Sequence, residues 1–143
     1  MKCASLLQPW AWCVAMKLKT AETRTWKTPH RGPILIAASK RIDHDAYDYL
    51  RSRGIQLPRK EDLVLGAVIA TAHLSLIEPY RKDLEPLGLC PFTEGEKRFA
   101  WFLDDVVMLD NPVPVKGQLG LYEVPWPPKA ALTDAMSHGT LAP

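Results

Sequence analysis

The chain has 143 residues, 47% of them apolar and 24% charged, a composition typical of one folded globular domain rather than of a disordered segment. Its net charge is only +2, but the first sixty residues hold twelve Lys and Arg against four Asp and Glu, which predicts a side that faces a polyanion. No apolar run reaches the ~20 residues of a membrane helix and no signal peptide opens the chain, so we expect a cytoplasmic protein without membrane contact.

The first predicted elements are a short strand and a helix. Residues 3–7 favour a strand, and Pro9 suits the first position of a helix, where a backbone N–H has no partner within the helix. We expect this helix to extend to Leu18. Four residues at helical spacing form a stripe that faces a core, namely Ala11, Val14, Ala15 and Leu18.

Two further strands are predicted after this helix. The alternating pattern that begins at Thr20 places one set of side chains on the same face of a strand, namely Thr20, Glu22, Arg24 and Trp26. A turn follows at Gly32-Pro33. The continuous apolar run Ile34–Ala38 then predicts a well-buried strand.

A second helix is predicted after this strand. Asp43 can cap its first turn, and Gly54 can end it. Its apolar face is expected to consist of Ile42, Ala46, Tyr49 and Leu50.

The second half of the chain predicts strands separated by a loop. We expect a long strand over Val64–Ile77 with a bend at Gly66, a loop over Arg81–Gly95, and strands over Phe99–Leu109 and Leu119–Val124. Together these elements predict an α+β fold, in which a curved sheet of mixed or antiparallel strands closes toward a small barrel flanked by two or more helices. We expect one domain over residues 1–125 and a Pro-rich peripheral tail over residues 126–143.

Cations near the second strand predict an anion site. An arginine such as Arg24 can bind a phosphate or a carboxylate through two parallel hydrogen bonds. Lys19 stands at the junction between helix and strand, where it is either an anion-binding group or, because nearby cations disfavour its charged form, a base or nucleophile. Trp10 and Trp26 either stack on a base, with an energy of ~1–3 kcal/mol, or pack in the core.

The sequence resembles the ASCH domain family, whose fold is of the PUA-like barrel type. The resemblance rests on Gln8-Pro9-Trp10-Ala11, on the Lys19-x-x-Glu22-x-Arg24 motif, on Arg31-Gly32 and on the segment from Pro112 to Pro125. It implies an RNA-binding module with a cleft between the barrel and the first helix. Some small members of the wider family hydrolyse the acetyl amide of N4-acetylcytidine, and a member has been described as a single-strand ribonuclease.

The resemblance places Lys19 at the position of the catalytic lysine of those amidohydrolases. Their catalytic threonine is expected three residues later, where this sequence has Glu22. An acidic group thus replaces a neutral hydroxyl, which counts against amide hydrolysis.

Three functional hypotheses follow. We favour a module that binds RNA or single-stranded nucleic acid. The alternatives are an amidohydrolase acting on N4-acetylcytidine-like nucleosides, and a single-strand ribonuclease, with Lys19 and Glu22 as catalytic residues in both. The expected binding residues are Trp10, Lys17, Arg24, Trp26, Arg31, Ser39 and Lys40. Three cysteines without a Cys-x-x-Cys spacing indicate reduced thiols and no zinc site, and we expect neither a metal nor a cofactor.

Overall fold

The computed structural model describes residues 1–128, which form six strands and three helices. In chain order these are β1 (Lys2–Gln8), α1 (Trp10–Ala15), β2 (Ala21–Arg24), β3 (Gly32–Ile42), α2 (His44–Ser52), β4 (Ala67–Pro79), α3 (Glu85–Gly88), β5 (Phe99–Pro114) and β6 (Leu121–Glu123). The predicted α+β class is confirmed. The expected tail lies mostly at residues 129–143, outside the described residues.

The strands form one mixed sheet in the order β2-β5-β4-β3-β1-β6. β1 and β3 are parallel, which requires a crossover, and the chain between them forms α1 and β2. All other neighbouring strands within residues 1–128 are antiparallel.

The sheet is open, so the expected closure into a barrel is not found within the described residues. β2 and β6 lie at the two ends of the strand order and do not pair with each other. β6 pairs with Lys2–Ala4 of β1 only, which leaves the second half of β1 with a free edge. Both terminal strands are short, with four residues in β2 and three in β6. The resulting gap is the feature that positions the candidate site.

β3 separates two clusters of buried apolar side chains. Ile34, Ile36 and Ala38 belong to a cluster covered by α1, whereas Leu35 and Ala37 belong to a second one. Trp126 packs against the second cluster, beyond the predicted domain boundary at residue 125. Burial on both faces explains why Ile34–Ala38 is continuously apolar, and its prediction as a buried strand is confirmed.

α1 is shorter than predicted and ends at Ala15. Its buried face holds Ala11 and Val14, as expected, but Leu18 is 44% exposed. The chain turns because Lys17 takes a left-handed conformation with φ of 62°, while the N–H groups of Leu18 and Lys19 both donate to the Cys13 carbonyl.

α2 follows its prediction closely. Asp43 is its N-cap and accepts a hydrogen bond from the Ala46 N–H at 2.9 Å. Its buried face contains Ala46 and Leu50 as expected, but Tyr47 instead of Tyr49. Gly54 follows the helix with φ of 87°.

The last strands differ from their predictions mainly in their bounds. β4 begins at Ala67 because Gly66, with φ of 67°, interrupts extended structure. β5 continues to Pro114 instead of ending at Leu109. β6 is shorter than the predicted strand, and the predicted loop contains the one-turn helix α3.

Candidate functional site

Two adjoining clefts occupy the gap between β1 and β2. The inner cleft has a volume of about 340 Å³ and is lined by Trp10, Glu22, Thr23, Asp43, Arg98 and parts of β1. The outer cleft, of about 540 Å³, is lined by Ser39, Lys40, Arg41 and the segment Lys116–Gly120. Three residues line both clefts, namely Ser5, Leu7 and Arg24.

Arg24 crosses the gap between the two strands. Its Nη2 donates a hydrogen bond of 2.8 Å to the Ser5 carbonyl on β1. Its Nε is buried and has no hydrogen-bond partner among the described residues, although Glu22 Oε2 lies 3.8 Å away. A guanidinium has five N–H donors, so Arg24 retains donors for an anion in either cleft.

Lys19 lies beneath the inner cleft rather than in it. The residue is 1% exposed, and its Nζ donates to the Gly88 carbonyl. The same ammonium lies 4.7 Å from the centroid of the Trp10 ring and 3.7 Å from Glu22 Oε1. Both roles predicted for Lys19, an anion-binding group or a base, require contact with a ligand, but the chain folds the side chain inward after the tight turn at Lys17.

Glu22 is a buried carboxylate held between two cations. It is 8% exposed, and its two oxygens face different partners, Lys19 and Arg24. Oε1 also accepts a hydrogen bond of 3.0 Å from the Thr23 N–H. These contacts offset the free-energy cost of removing the carboxylate from water, which is several kcal/mol.

The two candidate tryptophans have different surroundings. Trp10 is half-buried and lines the inner cleft. Trp26 packs edge-on against Trp101, with ring centroids 4.8 Å apart, and borders the main core cluster. Its ring centroid lies 6.0 Å from the Arg24 guanidinium carbon. Trp10 therefore lines a cleft, whereas Trp26 lines neither of the two clefts and packs toward the core beside Arg24.

The outer cleft collects cations from distant parts of the chain. Lys40 and Arg41 come from the end of β3, and Lys116 comes from the segment after β5. Among the described residues that line this cleft there is no Asp or Glu. Ser39 lines it too, and its Oγ accepts a hydrogen bond of 3.2 Å from the Arg41 N–H.

Lys17 and Arg31 do not join the other candidates. Lys17 is exposed at the end of α1 and lines neither cleft. Arg31 Nη1 donates to the carbonyls of Thr28 and His30, so its side chain is held against its own turn. Sequence proximity to the motif therefore did not bring these two side chains to the site.

Arg98 is a cleft residue that the sequence did not single out. Its Nη1 lies 3.4 Å from the Cys90 Sγ, and its guanidinium carbon lies 5.1 Å from the Tyr80 ring centroid. Burial raises the pKa of the Tyr80 hydroxyl, which donates to the Cys90 carbonyl. No local pattern marks Arg98, because it reaches the inner cleft only through the pairing of β5 with β2.

A larger cavity of about 870 Å³ lies between α2 and the segment around α3. Its charged residues have opposite signs, with Arg53 and Lys82 beside Asp83 and Glu85. The charged residues that line the outer cleft, by contrast, are all basic. Within residues 1–128 no three His, Cys, Asp or Glu side chains converge as metal ligands, and none of the helices is long and apolar enough to cross a membrane.

Comparisons with known proteins agree on one family. A family model described as the ASCH domain matches residues 5–113. Activating signal cointegrator 1 from Homo sapiens is 34% identical over 80 residues, and the Mus musculus protein is 38% identical over 80 residues. Each of these alignments covers 50% of this chain but only 13% of the curated relative.

A solved structure matches over nearly the whole chain. The crystal structure of ASCH from Zymomonas mobilis superimposes with a TM-score of 0.57, covering 95% of this chain and 93% of that one. The sequence identity is 18%, so this likeness concerns the fold alone.

Proposed function

Because the chain belongs to the ASCH domain family, we propose that it is a nucleic-acid-binding module that holds RNA, or another single strand, across the inner and outer clefts. The observation that carries this proposal is the charge of the outer cleft. Arg24, Lys40, Arg41 and Lys116 line it, and no described Asp or Glu residue lies among them. Such a surface fits a chain of phosphates, which dominate the affinity of proteins for nucleic acids.

The inner cleft suits a base attached to that backbone. Trp10 and the apolar side chains of Leu6 and Leu7 line it together with polar groups of β2. A base that stacks on an aromatic ring gains ~1–3 kcal/mol. The volume of about 340 Å³ suits one base and its sugar, not a duplex.

The position of Lys19 favours binding over catalysis. A general base must come within about 2.6–3.2 Å of the atom that bears the proton it removes. Lys19 is 1% exposed, and its Nζ is already engaged by the Gly88 carbonyl, Glu22 and the Trp10 ring. Acting on an acetylated nucleoside or on RNA would require all three contacts to be broken.

The test is binding of a short fluorescent single-stranded RNA, followed by anisotropy over a range of salt concentrations. Arg41→Ala should weaken binding to all sequences and flatten the dependence of log K on log salt by about 0.7, the value for one phosphate contact on a single strand. Arg51→Ala is the matched control, because Arg51 is an exposed arginine on α2 outside both clefts.

Two results would overturn the proposal. One is the absence of binding to single-stranded RNA and DNA at low salt. The other is robust release of acetate from N4-acetylcytidine that Lys19→Ala abolishes, which would make the protein an amidohydrolase.

A further inference from the structure

We propose that Lys19 is a positioning residue, a buried counter-charge that holds Glu22 away from Arg24 and so keeps the Arg24 guanidinium available to the clefts. The inference rests on the proposed function, because it assigns a role to Lys19 in binding an anionic ligand that Lys19 itself does not contact.

The first step is how the carboxylate is shared. Glu22 Oε1 lies 3.7 Å from Lys19 Nζ, and Glu22 Oε2 lies 3.8 Å from Arg24 Nε. A charge-assisted hydrogen bond between nitrogen and carboxylate has a length of about 2.7–2.9 Å. Lys19 Nζ and Arg24 Nε are thus each about one ångström too far from the carboxylate for such a bond, so Glu22 is shared between the two cations. Arg24 Nε is also buried without another partner among the described residues.

The second step is why Lys19 does not move in response. Its Nζ is anchored to the Gly88 carbonyl and lies over the Trp10 ring. Gly88 is itself closely packed, since a Cβ at this position would lie 2.6 Å from the Tyr80 hydroxyl oxygen. The ammonium is therefore a fixed charge, and with 1% exposure it acts on a ligand only through Glu22 and Arg24.

The third step is the charge balance. Lys19, Glu22 and Arg24 together carry one net positive charge, and Arg24 is the one member of the three that lines the outer cleft. Replacing Lys19 by an apolar residue leaves Glu22 buried with Arg24 as its remaining cation. The carboxylate then draws Nε into a hydrogen bond, and the charge of Arg24 is neutralised where a phosphate would need it.

The double substitution separates this role from a structural one. Lys19→Met alone removes the counter-charge, whereas Lys19→Met combined with Glu22→Gln removes the whole buried pair and returns Arg24 to an unneutralised state. If Lys19 served only to pack the site, the second substitution would restore nothing. Recovery in the double variant is therefore specific to the electrostatic role.

The experiment compares wild type, Lys19→Met and the double variant in two measurements. In salt titrations with single-stranded RNA, Lys19→Met should weaken binding several-fold and flatten the salt slope by about 0.7, while the double variant recovers most of both. In ligand-free protein, the NMR signal of the Arg24 Nε–H should move downfield, as for a carboxylate-bonded proton, in Lys19→Met only. Urea unfolding of each variant checks that it is folded.

The outcomes separate the two proposals. If wild-type protein binds no RNA, the proposed function fails, but the Nε–H signal still decides whether Lys19 keeps Arg24 from Glu22. Equal RNA affinity of the single and double variants, with an unchanged Nε–H signal, would overturn the role of Lys19. Should Lys19→Met not fold, the wild-type signal decides, because a carboxylate-bonded Nε–H already present in wild type contradicts the inference.

Discussion

At the scale of single residues, backbone geometry decides which cations reach the clefts. Gly66 has φ of 67°, a left-handed conformation that glycine adopts without strain, and the aliphatic part of Lys40 lies against it. Arg31 belongs to the same basic half of the chain, but its guanidinium is bound to the carbonyls of its own turn. A basic residue therefore contributes its charge to the clefts only where the backbone conformation directs its side chain into them.

Gly66→Ala tests the placement of Lys40. A Cβ at Gly66 would lie 3.3 Å from Lys40 Cγ. A left-handed backbone conformation also costs a non-glycine residue ~1–2 kcal/mol of conformational energy. We expect a loss of ~1–2 kcal/mol in the free energy of unfolding. We also expect weaker RNA binding, because Lys40 is displaced.

Gly54→Ala is the matched control for this substitution. Gly54 also has a positive φ, of 87°, but a Cβ there meets nothing within 4 Å. The control should lose similar stability in urea denaturation and keep wild-type affinity in the anisotropy assay. Equal RNA affinity of the two variants would contradict the expected effect of displacing Lys40 on binding.

At the scale of elements, α2 is linked to the inner cleft by its first residues. Asp43 caps the helix through the Ala46 N–H, and its side chain also lines the inner cleft. The same carboxylate therefore stabilises a helix and places a negative charge close to the expected path of a polyanion.

Asp43→Asn should separate these two effects. Asn caps helices about as well as Asp, so the free energy of unfolding should fall by less than about 1 kcal/mol, the contribution of charge at a helix N-terminus. RNA binding should become tighter at low salt, because a repulsive charge is removed. Asp43→Ala makes the same charge change but should also lose about 1 kcal/mol of stability with the cap. Weaker binding by Asp43→Asn would mean that Asp43 itself contacts the ligand.

Elements with a local signal were predictable from the sequence, and those set by distant contacts were not. Ile34–Ala38 was recognisable because burial on both faces requires a continuous apolar run. The end of α1 was not, because Lys17 is not a glycine and its left-handed conformation leaves no mark in the sequence.

The site was predictable to a similar extent. Glu22 and Arg24 were found because strand alternation puts them on one face. The burial of Lys19 was not predicted, because Lys19 precedes β2 and strand alternation does not fix the direction of its side chain. Arg41 and Arg98 were missed because only the sheet topology brings the end of β3 and the start of β5 to the same gap.

At the scale of the whole molecule, buried cysteine thiols and a buried tyrosine hydroxyl limit stability at alkaline pH. Burial raises the pKa of the Cys13 thiol to about 11 and that of the Tyr122 hydroxyl to about 12. It also raises the pKa of Cys3, which lies in the same cluster as Tyr122. The folded protein thus retains protons that the unfolded chain releases at lower pH.

This difference predicts alkaline destabilisation. The stability contributed by the neutral Cys13 thiol is fully present below pH 9.0, the ordinary thiol value, and is lost as the pH rises toward 11. Each pKa unit of difference corresponds to about 1.4 kcal/mol in the free energy of unfolding. Urea denaturation at a series of pH values should show this decline, and Cys13→Ala, although less stable near neutrality, should lose less over the same range. A wild-type stability that is constant up to pH 11 would contradict the prediction.

The hydrogen bond from Arg24 to the Ser5 carbonyl also affects whether the protein associates with other copies of itself. A free strand edge exposes backbone groups that a second chain can pair with, and this pairing is a common route to aggregation. β6 covers only the first residues of β1, so the edge begins near Ser5, where Arg24 occupies the carbonyl and places a charge beside it. Natural sheets use charged side chains at such edges to prevent strand addition. Removing Arg24 would therefore leave the same gap open to a neighbouring molecule, so a loss of ligand binding in such a variant would coincide with a greater tendency to self-associate.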